Sequence, residues 1–124
     1  MSMMEFAQVS ELLAMTPFGH YCVNAQAPDI GNMELLEKYG SDELIEKYLH
    51  PLENGAIRSC FSMTEPHFAG SNPVNMGTTA ILNDGYYVIN GHIWFTTAAD
   101  GALFAIVMAI TDPDASLYAR ASMI

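Results

Sequence analysis

The sequence predicts an α+β fold with segregated layers, helices first and antiparallel strands after. Three observations predict it. Up to about residue 58 the apolar residues recur at helical spacing, between Ser or Asp caps and Pro or Gly stops. From Ser59 the apolar runs shorten and turn signals such as Asn83-Asp84-Gly85 and Asn90-Gly91 separate them. The last residues, ASMI, read as a strand that is still apolar where the sequence stops. An unfinished apolar edge invites pairing, so the chain reads as a truncated piece of a longer protein.

The elements follow in order. Phe6, Val9, Leu12 and Leu13 share one face of a helix over residues 3–15, ending before Pro17. Residues 18–27 read as a second, buried helix stopped by Pro28. Asp29 is the expected N-cap of a helix through Tyr39, with Met33, Leu35 and Leu36 as its apolar residues and Gly40 as its C′ residue. Ser41 caps the next helix, whose first turn holds Asp42 and Glu43, and which should end near Leu49, before Pro51. Asn54-Gly55 is a turn. Strands are expected over residues 59–64, 76–82, 86–89, 92–97 and 103–110, the fourth following a hairpin at Asn90-Gly91 and the fifth buried on both faces. Residues 119–124 begin a further strand after a TDPDAS loop.

Composition limits what the chain can do. Apolar residues make up 51% and charged residues 15%, too few charges to coat a free-standing surface. Much of that surface is expected to lie against more chain, other subunits or a large cofactor. The net charge is −10, which disfavours nucleic acid and anionic membrane surfaces. A phosphate-bearing cofactor is still compatible, because backbone N–H groups can hold phosphate. Cys22 and Cys60 form no CxxC pattern and read as reduced thiols of a cytoplasmic protein. The opening MSMMEFAQVSELLAM lacks a basic n-region and does not read as a signal peptide, and no apolar run reaches the ~20 residues of a membrane span.

Simple catalytic templates do not apply. His20, His50, His67 and His92 form no metal-ligand spacing, so no metal site is expected. Ser71 lacks a GxSxG frame, and neither a P-loop nor a GxGxxG is present. The stretch FSMTEPHFAGSN (61–72) runs from a strand into small residues, which suits either a tight turn or a ligand gripped by main-chain N–H groups. Trp94 and Phe95, in YYVINGHIWFTT (86–97), suit either a core or a cofactor face.

Taken together, these two motifs resemble the acyl-CoA dehydrogenase flavoproteins. The leader YGSDELIEKYLHPLENGAIRSCFSMTEP (39–66) is similar to that family's YGSEEQKxKYLxPLxxG run into the first middle-domain strand, and the resemblance spans residues 28–124. It implies a β-barrel-like middle domain. Residues 1–58 would be the C-terminal part of the N-terminal helical domain and residues 59–124 an incomplete middle domain, with the C-terminal helical domain absent.

The resemblance implies FAD as cofactor. Phe61, Ser62, Met63 and Thr64 would lie beside the isoalloxazine ring, with Thr64 facing its N1/O2 side. There, fixed N–H dipoles stabilise the negative charge of the reduced ring. Ser71 would reach toward phosphate or acyl-CoA, so it is the expected substrate contact as well. Trp94 and Phe95 would supply the aromatic face, and the Thr96 hydroxyl would sit near flavin N5, with Thr97 the alternative for that contact. Ser71 stands one residue farther from Thr64 than in the family's TEPxAGSD pattern, Phe68 being the extra residue, and Asn72 stands where Asp is usual. A branch of long-chain and hydroxyacyl-CoA dehydrogenases is similar in this spacing. The implied reaction oxidises the Cα–Cβ bond of an acyl-CoA thioester. Its carboxylate base would come from the absent domain, so no catalytic residue is assigned here, and Glu65 matches a structural glutamate. The implied partners are acyl-CoA, an electron-transfer flavoprotein as acceptor and further copies of the chain. The competing reading is a flavin-free binding or oligomerisation module derived from the same fold.

Overall fold

The computed structural model describes residues 1–70 and 72–124. The chain divides into two compact units, Met1–Ile57 and Arg58–Ile124.

The first unit is helical. Helix α1 (Met3–Leu13) starts in a capping box: the Glu5 N–H donates to Ser2 Oγ at 3.3 Å, and the Ser2 N–H donates to Glu5 Oε2 at 2.7 Å. It ends before residue 15 was reached, at Leu13, with Ala14 as its cap. The buried helix expected over residues 18–27 is instead a single turn, α2 (Gly19–Cys22), with Tyr21 and Cys22 exposed. Asn24 then takes a positive φ of 52°, which stops the helix, and its side-chain Nδ2 donates to the Leu52 carbonyl.

Helix α3 (Asp29–Tyr39) has Asp29 as its first residue, with Pro28 at the cap position. Its buried stripe is Asp29, Asn32 and Leu36, so two of the three inward positions are polar where Met33 and Leu35 were expected with Leu36. Gln26 Nε2 donates to Asp29 Oδ2 at 2.6 Å, which makes the buried carboxylate tolerable. Gly40 ends the helix in an extended conformation (φ −66°, ψ 145°), without the left-handed turn of a glycine C′.

The next helix does not stop at Leu49. It runs as α4 (Asp42–Leu44), capped by Ser41, a π-helical stretch (Ile45–Leu49) and α5 (His50–Glu53). Pro51 lacks an N–H and its ring would crowd an α-helical carbonyl. The wider π stretch, closed by the His50 N–H on the Ile45 carbonyl, lets the chain pass that point without breaking. Leu36, Leu49 and Leu52 form this unit's buried core.

The second unit is one five-stranded sheet in which β1, β4, β2 and β3 are neighbours in that order, with β5 also on β4. The strands are β1 (Ser59–Ser62), β2 (Thr79–Asn83), β3 (Tyr86–Asn90), β4 (Phe104–Ile110) and β5 (Ala121–Met123). The sheet is open and mixed, which corrects the antiparallel expectation. β1 lies parallel to β4 in the register Ser59↔Phe104 to Ser62↔Val107, and β2 meets β4 in parallel at Thr79↔Ile110. Among the described strands, β2–β3 and β4–β5 are antiparallel. β2 and β3 are joined by Asp84 and Gly85, whose positive φ values (49° and 85°) suit the right-handed twist of a two-residue hairpin. Asn90-Gly91 does not form a hairpin, and residues 92–97 are not a strand.

Cys60, Met76, Ala80, Ile106 and Ala109 are buried in this unit. Ala105 of β4 is exposed, so that strand is not covered on both faces throughout. Hairpin β2–β3 is apolar and open to solvent, with Ile81, Leu82, Tyr86, Tyr87, Val88 and Ile89 all exposed. No described helix is long and apolar enough to cross a membrane.

Candidate functional site

The two motifs singled out in the sequence come together at the end of β1. Ser62 is the last residue of that strand, and the chain then leaves the ladder through Met63 and Thr64. The Thr64 carbonyl accepts the Trp94 N–H at 2.9 Å, and the Ser62 and Thr96 hydroxyl oxygens lie 3.4 Å apart. Residues 30 or more apart in sequence are therefore side by side, Ser62 and Thr96 being 34 apart. The Trp94 and Phe95 rings lie 4.7 Å apart between centroids at 41°, and they are 42% and 79% exposed. Phe61, Ser62, Met63, Thr64 and Thr96 are half-buried, whereas Thr97 is exposed. Ser71 lies outside the described residues.

A buried carboxylate holds this corner. Glu65 is 5% exposed, and its oxygens accept the Gly77 N–H at 2.6 Å, the Thr78 N–H at 2.5 Å and the Thr78 hydroxyl. Burial pushes its pKa up. The Thr78 hydroxyl, the Gly77 and Thr78 N–H groups and the nearby His67 outweigh that, so the group sits below its ordinary value of 4.5. Glu65 thus joins the end of β1 to the approach to β2, and every oxygen lone pair spent there is unavailable for proton abstraction. Sequence reasoning missed its partner Thr78. The available signal was a Gly-Thr pair just ahead of a strand, where free N–H groups are expected.

Two glycines allow the close packing. A Cβ on Gly70 would stand 2.7 Å from Thr64 Cγ2, and one on Gly91 would run into the Thr78 hydroxyl. Arg120 was also missed: its Nη2 donates to the Val74 carbonyl at 2.6 Å, across 46 residues of sequence. Among the described residues no cluster of His, Cys, Asp and Glu could hold a metal ion.

A family model described as "Acyl-CoA dehydrogenase, middle domain" matches residues 60–124. The chain belongs to the acyl-CoA dehydrogenase family. The mouse protein called acyl-CoA dehydrogenase family member 10 is 40% identical over 122 residues, which are 97% of this chain and 11% of that protein. A solved Mycobacterium abscessus protein described as an acyl-CoA dehydrogenase superposes with a TM-score of 0.92 at 43% identity, covering 97% of this chain and 30% of that one. A glutaryl-CoA dehydrogenase from Mycobacterium smegmatis, solved in complex with FADH2, is 36% identical with a TM-score of 0.60, covering 65% of this chain and 21% of that one. The chain thus spans about a third or less of the length of these acyl-CoA dehydrogenases.

Proposed function

We propose that this chain is the FAD-contacting segment of an acyl-CoA dehydrogenase that oxidises the Cα–Cβ bond of an acyl-CoA thioester. The observation that carries the reading is the meeting of Ser62, Thr64, Trp94 and Thr96 at one place. The residues fit a flavin. Trp94 and Phe95 offer apolar ring faces to a planar ligand, and two neutral hydroxyls lie within 3.4 Å of each other beside them. The FADH2-bound relative supports the choice of cofactor.

Bound FAD would supply the hydride acceptor, its N5. The residues of this chain would bind and orient the ring. The Trp94 N–H bond to Thr64 fixes the distance between the two motifs, so the Thr96 hydroxyl presents its hydrogen bond from a pinned backbone. Trp94 would cover one ring edge and keep water from it. No base is assigned among the described residues, because the buried carboxylate of the site, Glu65, is already committed to Gly77 and Thr78. An electron-transfer flavoprotein would be the electron acceptor, the setting cytoplasmic, and the exposed β2–β3 hairpin a surface covered by further chain or by another copy.

The test is flavin retention in protein that includes this chain. Trp94→Ala should lose stacking of roughly 0.5–1.5 kcal/mol beyond burial, and Thr96→Ala about 1 kcal/mol of hydrogen bonding. Both should show as weaker FAD binding by flavin absorbance. Variants that hold and reduce FAD like the parent would remove the reading and leave the binding-module alternative. The 124-residue chain alone is expected to show no dye reduction with any acyl-CoA, and clear turnover would place the base inside it.

A further inference from the structure

Strand β3 is an outermost strand of the sheet, and it lacks the usual devices that close such an edge. Among the described strands it pairs with β2 alone, in the register Thr79↔Asn90 to Asn83↔Tyr86. Asn83 and Tyr86 flank a two-residue turn, so they form a hydrogen-bonded pair. Alternation from there makes Ile81–Val88 and Thr79–Asn90 bonded pairs as well. The N–H and C=O groups of Tyr87 and Ile89 therefore point away from β2, along an open edge. All of β3 is exposed. Proteins blunt such edges with Lys, Pro, inward charges or bulges. Here no Asp, Glu, Lys or Arg lies between Asp84 and Asp100, no Pro lies between Pro73 and Pro113, and the register of β2 with β3 has no bulge.

The chemistry of this edge selects a strand like itself. Both faces of the hairpin are apolar: Ile81, Tyr86 and Val88 share one, and Leu82, Tyr87 and Ile89 share the other. A strand that alternates polar and apolar would cover one face well and set polar groups against the other. A second β3 sets apolar against apolar on both. Two identical strands laid antiparallel are self-complementary about a two-fold axis. With the axis at Val88, Tyr87 of each copy faces Ile89 of the other, and these are the residues whose backbone groups are free. The same register sets the exposed Asp84 carboxylate of each copy level with the exposed His92 imidazole of the other. The acid nearest the edge thus meets a hydrogen-bond donor and not another acid, in a chain whose net charge is −10.

We propose that the free edge of β3 is a dimerisation edge, which pairs antiparallel with β3 of a second copy of this chain about a two-fold axis at Val88. The proposal rests on the reading of the hairpin as a covered surface, for which it commits to one occupant, and makes no use of the flavin assignment.

Sedimentation equilibrium of the 124-residue chain should show a dimer. Tyr87→Pro removes an N–H that β2 does not use, so the hairpin stands while the dimer dissociation constant rises at least about tenfold. Val88→Lys sets like charges opposite each other at the axis and should act in the same direction. Ile81→Lys lies on the same face one strand in and should leave the dimer intact. Circular dichroism checks that each variant is folded. Val88→Cys supplies a readout of register that needs no loss of stability. In a Cys22→Ser background, with Cys60 buried, it should oxidise to a covalent dimer, because opposed residues of a non-bonded pair lie within disulfide range. A monomeric parent overturns the proposal, as does a dimer that withstands Tyr87→Pro or one in which Val88→Cys stays uncrosslinked. A dimer lost through Ile81→Lys as readily as through Val88→Lys is a stacking of faces and overturns the edge pairing too. Flavin retention enters none of these readouts, so failure here and failure of the flavin reading are told apart.

Discussion

The stretch leaving β1 and the stretch after β3 look alike in sequence, and only the first belongs to a strand. Residues 59–64 and 92–97 are both short, apolar and rich in Thr, Ser and aromatic side chains. β1 pairs residue by residue with β4 from Ser59↔Phe104 to Ser62↔Val107. Residues 92–97 have no such ladder; the Trp94 N–H goes to the Thr64 carbonyl, and Phe95 turns to a φ of 52°. The side-chain pattern did not separate the two. What did is where each backbone N–H finds an acceptor.

The largest expected effect comes from cutting the lock that holds the end of the first region to the approach to β2. Glu65→Ala would leave the Thr78 N–H and hydroxyl without their acceptor in a buried place, and the Gly77 N–H without its own at an exposed residue. We expect a loss of about 3 kcal/mol in urea unfolding, since each stranded buried donor costs roughly 1–3 kcal/mol and the two on Thr78 are not additive. The sign with pH follows from its lowered pKa. Glu65's contribution is fully present above its ordinary value of 4.5 and is lost as pH falls through the lower value of the folded state. Parent stability should therefore fall in that acid window more steeply than that of the Ala variant. Equal acid slopes would mean that the carboxylate does not hold β1 to the approach to β2.

A smaller effect tests the packing beneath the first region. Gly70→Ala would set a Cβ 2.7 Å from Thr64 Cγ2, closer than carbon atoms tolerate. Overpacking of this kind costs about 1–3 kcal/mol. Thr64→Ser removes Cγ2 and should recover most of the loss in the double variant, because the collision partner is gone. A double variant as unstable as Gly70→Ala alone would show that backbone, and not this side chain, sets the spacing between the turn and Thr64.

How much of this was legible from sequence depended on whether the signal was local. Ser41 as a cap and the Asn83-Asp84-Gly85 turn are short-range chemistry, and the structure has both. The family followed from motifs that are contiguous in sequence, MTEP and WFTT, and the match over residues 60–124 bears it out. The misses are tertiary. The helix expected to stop before Pro51 continues because a π stretch absorbs the proline. The inward face of α3 holds Asp29 and Asn32 because Gln26 and other chain satisfy them, which no hydrophobic pattern announces. The parallel pairing of β1 with β4 joins residues more than 40 apart, beyond the reach of alternation and turn signals (|i−j| = 44 for Cys60 and Phe104). The bonds that define the candidate site, Trp94 to Thr64 and Glu65 to Thr78, are of the same long-range kind.

The smallest expected effect is also the sharpest test of the comparison. Phe95 is 79% exposed and holds a positive φ, a conformation that a bulky residue adopts at a cost. In a plain loop, Phe95→Gly would relieve that strain of about 1 kcal/mol and lose little burial, so the chain should become slightly more stable. In a strand, the same change would cost about 1 kcal/mol through lost side-chain packing and added backbone freedom. The sign of the change in urea midpoint therefore reports which state residues 92–97 occupy. A gain for Phe95→Gly together with weaker flavin retention would show that the strained ring is kept for the ligand. A gain with unchanged retention would leave Trp94 as the sole aromatic face of the site, because the ring of Phe95 would then serve neither stability nor binding.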